Sequence, residues 1–448
     1  MPVAISYDKD SRMIFSGLSC DCPLQHHVPT QDIYVGKGLL RRVPEMIRRR
    51  GFSKSCVLVA DQNTYSVAGK ETESALLAAG FSVERCLIRR DGEMLPDETA
   101  CGEVLLTIQP DTDFLVGVGS GSITDTVRIN ATRAGLPFVC VGTAPSMDGY
   151  TSAIAPLLLR NAKIHRAGVC PEIIVCDLDV MKAAPTPMIA SGVGDVLGKF
   201  IAIADWKISR IINDEPYCET CGDIVLDAVN RLIDEAPAIR DKTEEGIRVL
   251  IEALLLSGVT VMIIGNTRAV ASVEHNIAHL WEMWQLARGQ KPPAHGSSVG
   301  VATLLVWPLF ERFAKEDVSK LDLQRIVEKR VSRAERERLI VEAYGEEAGS
   351  NIIRENPEDF LSLEEQRRRI QRVQARFPEI REVIESLPPY ARIKRTMQTI
   401  GAHLSPEEEG IDPRLLSSSM RYAKDYRSRY TLLKTIDECG LLDEYLQP

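Results

Sequence analysis

Apolar and polar positions alternate with two different periods along this chain. Between about residues 30 and 180, short β-branched runs alternate with amphipathic segments, such as SCVLVAD followed by ESALLAAG, which closes on Gly80. Strands that alternate with helices are typical of a parallel, doubly wound sheet. Residues 1–30 show little periodicity, and we expect an irregular leader or an edge strand there. The runs that predict strands are DIYVGKG, SCVLVAD, FSVERCLI, DFLVGVGSG, PFVCVG, NAKIHRAGV and EIIVCDL.

The pattern changes after about residue 185, where long stretches have the 3.6-residue period of helices. Examples are DVLGKFIAIADWKISRII and EGIRVLIEALLLSGVTVMII, and we find no convincing strand beyond that point. Arg and Glu at helical spacing in residues 315–400 predict solvated helix faces. A chain of 448 residues is too long for one ordinary core. We therefore predict an α/β domain with a parallel sheet in residues 1–184, an all-helical domain in residues 185–448, and a site in the cleft between them.

Composition and charge narrow the function classes. The chain is 44% apolar and 26% charged, which is typical of a globular protein. A net charge of -9 argues against a nucleic-acid surface, although a few local Arg or Lys side chains could still receive an anionic small molecule. No run approaches the roughly 18 apolar residues of a membrane span. The start, MPVAISYDKDSRM, lacks the features of a signal peptide. We expect a cytoplasmic protein without membrane insertion.

Eleven cysteines are scattered along the chain, several of them in apolar runs such as CVLVA and FVCVG. These runs indicate buried thiols that act as small hydrophobic side chains. Two groups of residues are considered separately as possible metal ligands. They are the CxxC pair Cys218 and Cys221, and the group Cys20, Cys22, His26 and His27. A zinc ribbon needs two knuckles with regular spacing, so the sequence favours reduced, unligated thiols.

A glycine-rich turn follows the apolar run in residues 114–125, FLVGVGSGSITD. The run leads into Gly117, Gly119 and Gly121, and a helix is expected to start near Ser122. Such a turn lets the backbone approach a ligand, and the helix N-terminus favours an anion such as a dinucleotide phosphate. The spacing is GxGxG rather than GxGxxG, so a tight connection without a ligand remains an equal alternative. Upstream, Asp61 ends SCVLVAD and is either a ribose acceptor or a helix cap.

One carboxylate and three imidazoles form the second chemical feature, and three of only seven histidines fall within residues 275–295. His275 and His279 are four residues apart and share a helix face, while His295 follows beside a glycine. Asp195 and these histidines suit a catalytic Zn²⁺, Ni²⁺ or Fe²⁺, which needs three protein ligands and an open position. Spacing alone leaves open which of the four side chains are ligands. Asp195 and Lys199 could equally form an ordinary i,i+4 salt bridge.

The order of five motifs resembles the glycerol-1-phosphate dehydrogenases, and most closely their bacterial AraM-like branch. The motifs are GVGSGSITD, TAPSMDGYTSAIAP, GVGDVLGK, EHNIAHLWEM and HGSSVGVAT. These enzymes belong to the superfamily of iron-type alcohol dehydrogenases, glycerol dehydrogenase and dehydroquinate synthase. The resemblance runs from about Asp32 to Leu442. Two departures are Ser120, where many relatives carry Gly, and Ser297 with Ser298, which replace the Glu-Gln of the archaeal branch.

The resemblance implies a Rossmann-like N-terminal domain, an all-helical metal-binding domain, and roles for individual residues. It implies metal ligands at Asp195, His275 and His295, which makes His279 a substrate-side residue. Asp148 matches a substrate-contacting Asp of the family, and we add Lys199 as a phosphate or carboxylate partner. The positions that match dinucleotide contacts are Asp61, Gly121, Ser122, Ile123, Thr124, Asp125, Thr143, Ala144, Pro145, Ser146 and Ser152.

The activity implied by the resemblance is metal-dependent, reversible reduction of dihydroxyacetone phosphate to sn-glycerol 1-phosphate. NAD or NADP would supply the hydride, and one divalent metal (Zn, Ni or Fe) would act as a Lewis acid. We also expect a homodimer. The alternatives are a dehydroquinate-synthase-like cyclase, another polyol or polyol-phosphate dehydrogenase of the superfamily, and a metal-free binding protein. The intact Asp and His set argues against the last of these.

Overall fold

The structure is a computed structural model that describes residues 4–16, 20–26, 31–160 and 162–447. His27 lies outside the described residues. The predicted fold class is confirmed: a parallel sheet with helices comes first, and a large helical region follows. The ten strands are β1 Ala4–Tyr7, β2 Met13–Ser16, β3 Asp32–Gly36, β4 Ser55–Asp61, β5 Ser82–Ile88, β6 Phe114–Gly119, β7 Phe138–Gly142, β8 Ile154–Leu159, β9 Ala162–Ala167 and β10 Ile173–Asp177.

Six of these strands form one parallel sheet in the order β3-β10-β7-β6-β4-β5. The central strands β6, β7 and β10 are buried along their whole length, as expected for a parallel sheet that is covered on both faces. The carboxyl ends of β4, β6 and β7 lie side by side, so Asp61, Ser120 and Thr143 come to the same edge. The glycine-rich turn and Asp61 are therefore neighbours in the fold.

Two antiparallel hairpins accompany the sheet. The first, β1 with β2, stands where an irregular leader or edge strand is expected, and a bridge from Arg12 to Tyr34 joins it to β3. The second pairs β8 with β9, and only β9 is predicted by the sequence. Pro156 lies within β8 opposite His165, a position that a two-stranded hairpin tolerates because proline needs no partner for its nitrogen.

Apart from loops, turns and short 3₁₀ turns, the rest of the described chain is helical. A π-helical turn, Tyr65–Gly69, joins α2 to α3. The predicted domain boundary after residue 184 falls between α6 and α7, and it stays a prediction. The helices of the N-terminal region are α1 Val43–Arg49, α2 Gln62–Thr64, α3 Lys70–Ala78, α4 Glu98–Thr107, α5 Gly121–Ala134 and α6 Leu178–Lys182. Those that follow are α7 Thr186–Leu197, α8 Lys199–Asn213, α9 Glu219–Asp234, α10 Ala236–Arg240, α11 Glu244–Ile264, α12 Val273–Leu286, α13 His295–Phe313, α14 Leu323–Glu328, α15 Arg333–Tyr344, α16 Glu346–Glu355, α17 Leu363–Glu385, α18 Tyr390–Ile400, α19 Pro413–Tyr422, α20 Leu432–Glu438 and α21 Leu442–Tyr445.

Glycines bring α7 and α13 unusually close together. A Cβ atom on Gly194 would lie 2.3 Å from the carbonyl oxygen of Gly296, and one on Gly300 would lie 2.9 Å from Cα of Gly194. Real side chains cannot occupy such positions unless the backbones shift. Asp195 and His295 are the direct neighbours of Gly194 and Gly296 in the sequence. The close helix crossing is therefore what brings these two side chains to one place.

Two helical stretches are apolar enough, by length and composition, to cross a membrane. They are Thr186–Asn213, with a mean hydropathy of 1.4, and Glu244–Ile264, with 2.2. The expectation that no run approaches the length and hydropathy of a membrane span is therefore wrong. However, 89% and 83% of these windows are buried inside the fold. The apolar residues are explained by packing in the helical core, since a helix that is hydrophobic all round is buried either there or in a membrane.

Candidate metal and dinucleotide site

Three helices bring the predicted metal-binding side chains together. Asp195 lies near the end of α7, His275 and His279 lie on α12, and His295 is the first residue of α13. Nε2 of His275 lies 3.4 Å from Oδ1 of Asp195. The ring centroids of His275 and His295 are 5.4 Å apart, and those of His279 and His295 are 5.1 Å apart in a stacked arrangement. All four side chains therefore share one site.

Each of two histidines carries a buried glutamate on its Nδ1 atom. Nδ1 of His275 lies 2.7 Å from Oε1 of Glu274, and Nδ1 of His295 lies 2.7 Å from Oε1 of Glu282. A carboxylate accepts, so Nδ1 donates and the lone pair of the imidazole is left on Nε2. This carboxylate–histidine arrangement is typical of metal-binding histidines.

Sequence reasoning missed Glu274 and Glu282, although both lie within the quoted motif EHNIAHLWEM. It also missed Lys163 on β9. Lys163 forms an ion pair with Glu282, and its Nζ atom lies 3.3 Å from Nδ1 of His279. His279 itself lies 3.2 Å from Oε2 of Glu282. The sequence shows that acidic residues lie beside the histidines. It does not show which carboxylate contacts which imidazole ring, because that depends on how the helices pack.

The local charges fix the ionisation of this cluster. Burial opposes ionisation of Glu282, but Lys163, His295 and His279 outweigh it and hold the pKa of Glu282 well below its usual range. Burial, together with the Lys163 ammonium, lowers the pKa of His279 well below its ordinary value despite the opposing Glu282. His279 is therefore neutral at pH 7, while Glu282 is ionised.

A second tight group of donor atoms shares part of the site. Donor atoms of His279, Glu282 and His295 all lie within 4.8 Å of one another. Both oxygens of Glu282 are already bound, however, one by His295 and the other by Lys163 and His279. The geometry therefore offers two ligand sets. Both oxygens of Asp195 also have partners, Lys199 and the N–H of Asp148, so the set with Asp195 and His275 is favoured by its histidines, whose Nδ1 atoms are bound by glutamates.

Lys199 is buried at the site and pairs with two of its carboxylates. Its Nζ atom is 2.6 Å from Oδ1 of Asp195 and 2.7 Å from Oδ2 of Asp148, and its side chain is fully buried. The backbone N–H of Asp148 donates to Oδ2 of Asp195 at 3.1 Å. Burial opposes both charges, but the ion pairs lower the pKa of Asp195 and raise the pKa of Lys199. Lys199 is thus a partner of carboxylates, and the i,i+4 salt bridge is present.

Ser297 and Ser298, the residues that depart from the archaeal pattern, have a structural partner. Both hydroxyls donate to the buried carboxylate of Glu409, and the bond from Ser298 measures 3.3 Å. Nδ1 of His403 lies 2.7 Å from the same carboxylate. These bonds tie the first turn of α13, which begins with His295, to the C-terminal part of the chain.

The glycine-rich turn has the form expected for an anion site. Helix α5 begins at Gly121, and its N-cap residue Ser120 makes no side-chain capping hydrogen bond. The first N–H groups of a helix have no partners within the helix. A Cβ atom on Gly119 would lie 2.5 Å from Cβ of Ile123, so strand and helix pack too closely for any side chain there. The N-terminus of α5 therefore lies directly after β6, at the edge where β4, β6 and β7 end.

The remaining residues that match dinucleotide contacts surround this turn. Asp61 forms a capping box with Thr64, with Thr64 N–H donating to Oδ1 at 2.8 Å, so the helix-cap interpretation holds whatever else Asp61 binds. Asp125 forms an ion pair with the buried Arg128, which also donates to the carbonyl of Gly149 at 2.7 Å. Through Arg128, the Asp125 carboxylate therefore helps to hold the 3₁₀ turn Gly149–Thr151, which lies between β7 and β8.

The loop after β7 connects the two parts of the site. The N–H of Thr143 donates to the carbonyl of Gly119 at 3.2 Å, and the carbonyl of Ser146 accepts from Ser191 at 3.1 Å. Asp148, two residues later, reaches Asp195 and Lys199. Ser152 lies farther along, where its hydroxyl bonds the backbone of Ile154. The segment between β7 and β8 therefore runs from the glycine-rich turn to Asp195 and Lys199.

Comparison with known proteins gives a consistent result. Residues 34–185 match the family of iron-containing alcohol dehydrogenases. Glycerol-1-phosphate dehydrogenase (NAD(P)+) of Halalkalibacterium halodurans is 30% identical over 422 residues, which cover 94% of this chain and 95% of that protein. The enzyme of the same name from Bacillus subtilis is 38% identical over 293 residues, 65% of this chain and 74% of that protein.

Solved structures show the same fold at low sequence identity. Glycerol dehydrogenase from Schizosaccharomyces pombe has a TM-score of 0.61 and 18% identity, covering 96% of this chain and 92% of that one. Sulfoacetaldehyde reductase from Bifidobacterium kashiwanohense in complex with NAD+ has a TM-score of 0.60 and 14% identity, covering 96% and 99%. At this identity the likeness concerns the fold alone.

Proposed function

The chain belongs to the glycerol-1-phosphate dehydrogenase family, and from this premise we propose that it reversibly reduces dihydroxyacetone phosphate to sn-glycerol 1-phosphate with NAD(P)H. One observation carries the proposal for the site. His275 and His295, close to Asp195, are each bonded through Nδ1 to a buried glutamate. That arrangement leaves two Nε2 lone pairs and a carboxylate for one cation.

Asp195, His275 and His295 would hold a divalent metal. Two imidazoles and one carboxylate suit Zn²⁺, Ni²⁺ and Fe²⁺ alike, so we propose a metal of this group. When bound, the cation supplies Lewis acidity at the substrate oxygen and the nicotinamide supplies the hydride. Three ligands from the chain leave a position open for substrate, as in catalytic sites.

The other side chains would orient substrate and move protons. Neutral His279, which is stacked on His295, would exchange a proton with a substrate hydroxyl. Lys163, which forms an ion pair with Glu282, would donate a hydrogen bond from its ammonium group to a phosphorylated substrate. Asp148, held by Lys199, would accept a hydrogen bond from a substrate hydroxyl.

The dinucleotide would bind at the carboxyl edge of the sheet. Its phosphates would meet the N-terminus of α5, where Gly121, Ser122 and Ile123 begin the helix. Asp61 would reach the ribose, since only one of its oxygens is used by the cap. A carboxylate there disfavours the 2′-phosphate of NADP, so we propose a preference for NAD. Thr143, Ala144, Pro145, Ser146 and Ser152 would line the nicotinamide side.

Oxidation of NADH with dihydroxyacetone phosphate, followed by chiral analysis of the product, tests the activity. We expect stoichiometric NADH consumption, sn-glycerol 1-phosphate as product, and loss of rate after chelation that Zn²⁺, Ni²⁺ or Fe²⁺ restores. A dehydroquinate-synthase-like cyclase would regenerate its NAD and consume no NADH. Formation of the opposite enantiomer, or rate without any metal, would contradict the proposal.

We also propose that the enzyme is a cytoplasmic homodimer. The buried apolar windows of α7–α8 and α11 agree with a protein that does not insert into membranes. Sedimentation equilibrium of the purified chain would test the dimer, and a mass of one chain at micromolar concentration would contradict it.

A further inference from the structure

A second cluster of metal-binding side chains lies apart from the site described above. Cys20, Cys22 and His26 follow β2 in a segment without helix or strand, and Cys218 is the N-cap residue of α9. One donor atom from each of these four residues lies within 4.8 Å of the others. The cluster shares no residue with the imidazole site, so it needs an explanation of its own.

The distances are close to those of a tetrahedral zinc site. Zinc binds thiolate sulfur at about 2.3 Å and imidazole nitrogen at about 2.0–2.1 Å, which places sulfurs about 3.8 Å apart and sulfur and nitrogen about 3.5 Å apart in a tetrahedron. Here Sγ of Cys20 and Sγ of Cys218 are 3.5 Å apart, and Sγ of Cys22 lies 3.2 Å from Nε2 of His26. Both distances are slightly shorter than those of the ideal tetrahedron, and the donor atoms of all four residues lie within 4.8 Å of one another.

Backbone N–H groups already point at two of the sulfurs. The N–H of Cys22 donates to Sγ of Cys20 at 3.2 Å, and the N–H of Cys221 donates to Sγ of Cys218 at 3.4 Å. Cys218 also caps a helix of 16 residues, whose N-terminus favours negative charge. The N–H groups and the helix N-terminus place partial positive charge beside these sulfurs, which suits the thiolate form that binds a metal. Without a metal, the hydrogen bond to Cys221 and burial raise the pKa of Cys218, so the thiolate would form as the cation binds.

The cluster joins residues 20–26, which lie outside helices and strands, to the start of α9. Cys218 is held in place by its neighbours, because Tyr217 packs edge-on against Trp206 with ring centroids 4.5 Å apart, and Trp206 donates to the carbonyl of Pro216 at 2.9 Å. The described residues 20–26, which carry Cys20 and His26, contain no helix or strand. A metal bridging the two would fix the N-terminal segment on the helical region.

We propose that Cys20, Cys22, His26 and Cys218 bind one Zn²⁺ in a closed tetrahedral Cys₃His site. Four protein ligands leave no position for substrate, so the site is structural. Three soft sulfur ligands separate its metal preference from that of the carboxylate and imidazole site. The sequence spacing predicts unligated thiols because it contains no second knuckle; the fold supplies the fourth ligand from 198 residues away from Cys20.

Substitution with Co²⁺ distinguishes this site from the catalytic one. Protein produced with Co²⁺ should show thiolate-to-cobalt charge-transfer absorption, which the Asp and His ligands of the catalytic site cannot produce. Cys218→Ser and the partly exposed Cys22→Ser should each lose this absorption and one zinc per chain, while metal at the imidazole site remains. Cys221→Ser is the matched control, because Cys221 adjoins Cys218 without belonging to the cluster, and it should keep the zinc.

Two results would overturn the proposal. One is a zinc content that Cys22→Ser leaves unchanged, with no thiolate absorption in the parent protein. The other is a disulfide between Cys20 and Cys218 in protein purified without oxidant, found by peptide mass mapping. Because dehydrogenase activity is not the readout, failure of the zinc site would leave the proposed reaction untouched, and failure of the reaction would leave the zinc site untouched.

Discussion

The carboxylate of Glu282 accepts a hydrogen bond from Nδ1 of His295, with 2.7 Å between the two atoms. This bond fixes the tautomer of His295 and leaves the lone pair of the imidazole on Nε2. Partners of this kind orient a metal ligand and raise its basicity. Glu282 is therefore expected to control metal affinity although it is not one of the three proposed ligands.

Glu282→Gln should lower metal affinity by about 10- to 100-fold, the usual effect of removing such a partner. The amide keeps the size of the side chain but can present its NH₂ group to His295 and Lys163. Titration of the metal-free protein with Zn²⁺ or Ni²⁺, followed by calorimetry, measures the change. Glu311→Gln, on the same helix as His295 but near its other end, is the control and should bind as the parent does. Unchanged affinity in Glu282→Gln would mean that the carboxylate does not orient the ligand.

The three imidazoles should respond differently to removal. His275→Ala and His295→Ala are expected to lose the catalytic metal and the activity together. His279→Ala should keep the metal and lose rate, because its Nδ1 faces Glu282 and Lys163. Metal content by mass spectrometry, measured beside turnover, separates the two behaviours. Loss of metal from His279→Ala would make it a ligand instead.

Much of the fold was predictable from the sequence, and the parts that were missed share a physical cause. Strands such as β4 and β6 were predicted because both faces of each strand are buried, which makes the sequence run continuously apolar. Strand β8 was missed because Pro156 interrupts its pattern, and only pairing with β9 makes it a strand. The residues around the metal site were recognisable as a set, but their hydrogen-bond partners were not. Which glutamate meets which imidazole depends on helix crossings that no local pattern encodes.

Gly296→Ala tests whether the crossing of α7 and α13 positions the ligands. Its Cβ would lie 2.1 Å from the carbonyl oxygen of Ser191 and 2.9 Å from Cβ of Asp195, so the helices must separate. Overpacking of this kind destabilises by about 1–3 kcal/mol. We expect that loss in urea unfolding together with weaker metal binding. Gly102→Ala, in α4, is the control: nothing lies within 4 Å of its Cβ, and stability should rise slightly or stay constant.

Asp61→Asn tests the origin of nucleotide preference. Asparagine keeps an oxygen for the cap on Thr64 but removes the negative charge that would face the ribose. The ratio of KM for NADPH to KM for NADH should therefore fall, with kcat little changed. Thr64→Val removes part of the cap without changing charge, and it should leave that ratio as it is. An equal ratio in Asp61→Asn and the parent would place the ribose away from Asp61.

Lys199→Met should destabilise the metal-free protein by about 3–5 kcal/mol, the usual effect of breaking a buried ion pair. Its removal leaves Asp148 and Asp195 facing each other without a cation.

The destabilisation should also depend on pH. In the parent, Asp195 has a lower pKa in the folded state than in the unfolded state. It therefore contributes stability above the unfolded pKa, and this contribution is lost as pH falls through the folded pKa. The deficit of the variant should therefore be largest near pH 7 and shrink below about pH 4. Bound metal should also reduce it, because a second cation then lies beside Asp195. Urea unfolding at several pH values, with and without Ni²⁺, measures both effects, and Lys207→Met on the same helix is the control. A deficit that is independent of both pH and metal would show that Lys199 contributes packing instead of charge.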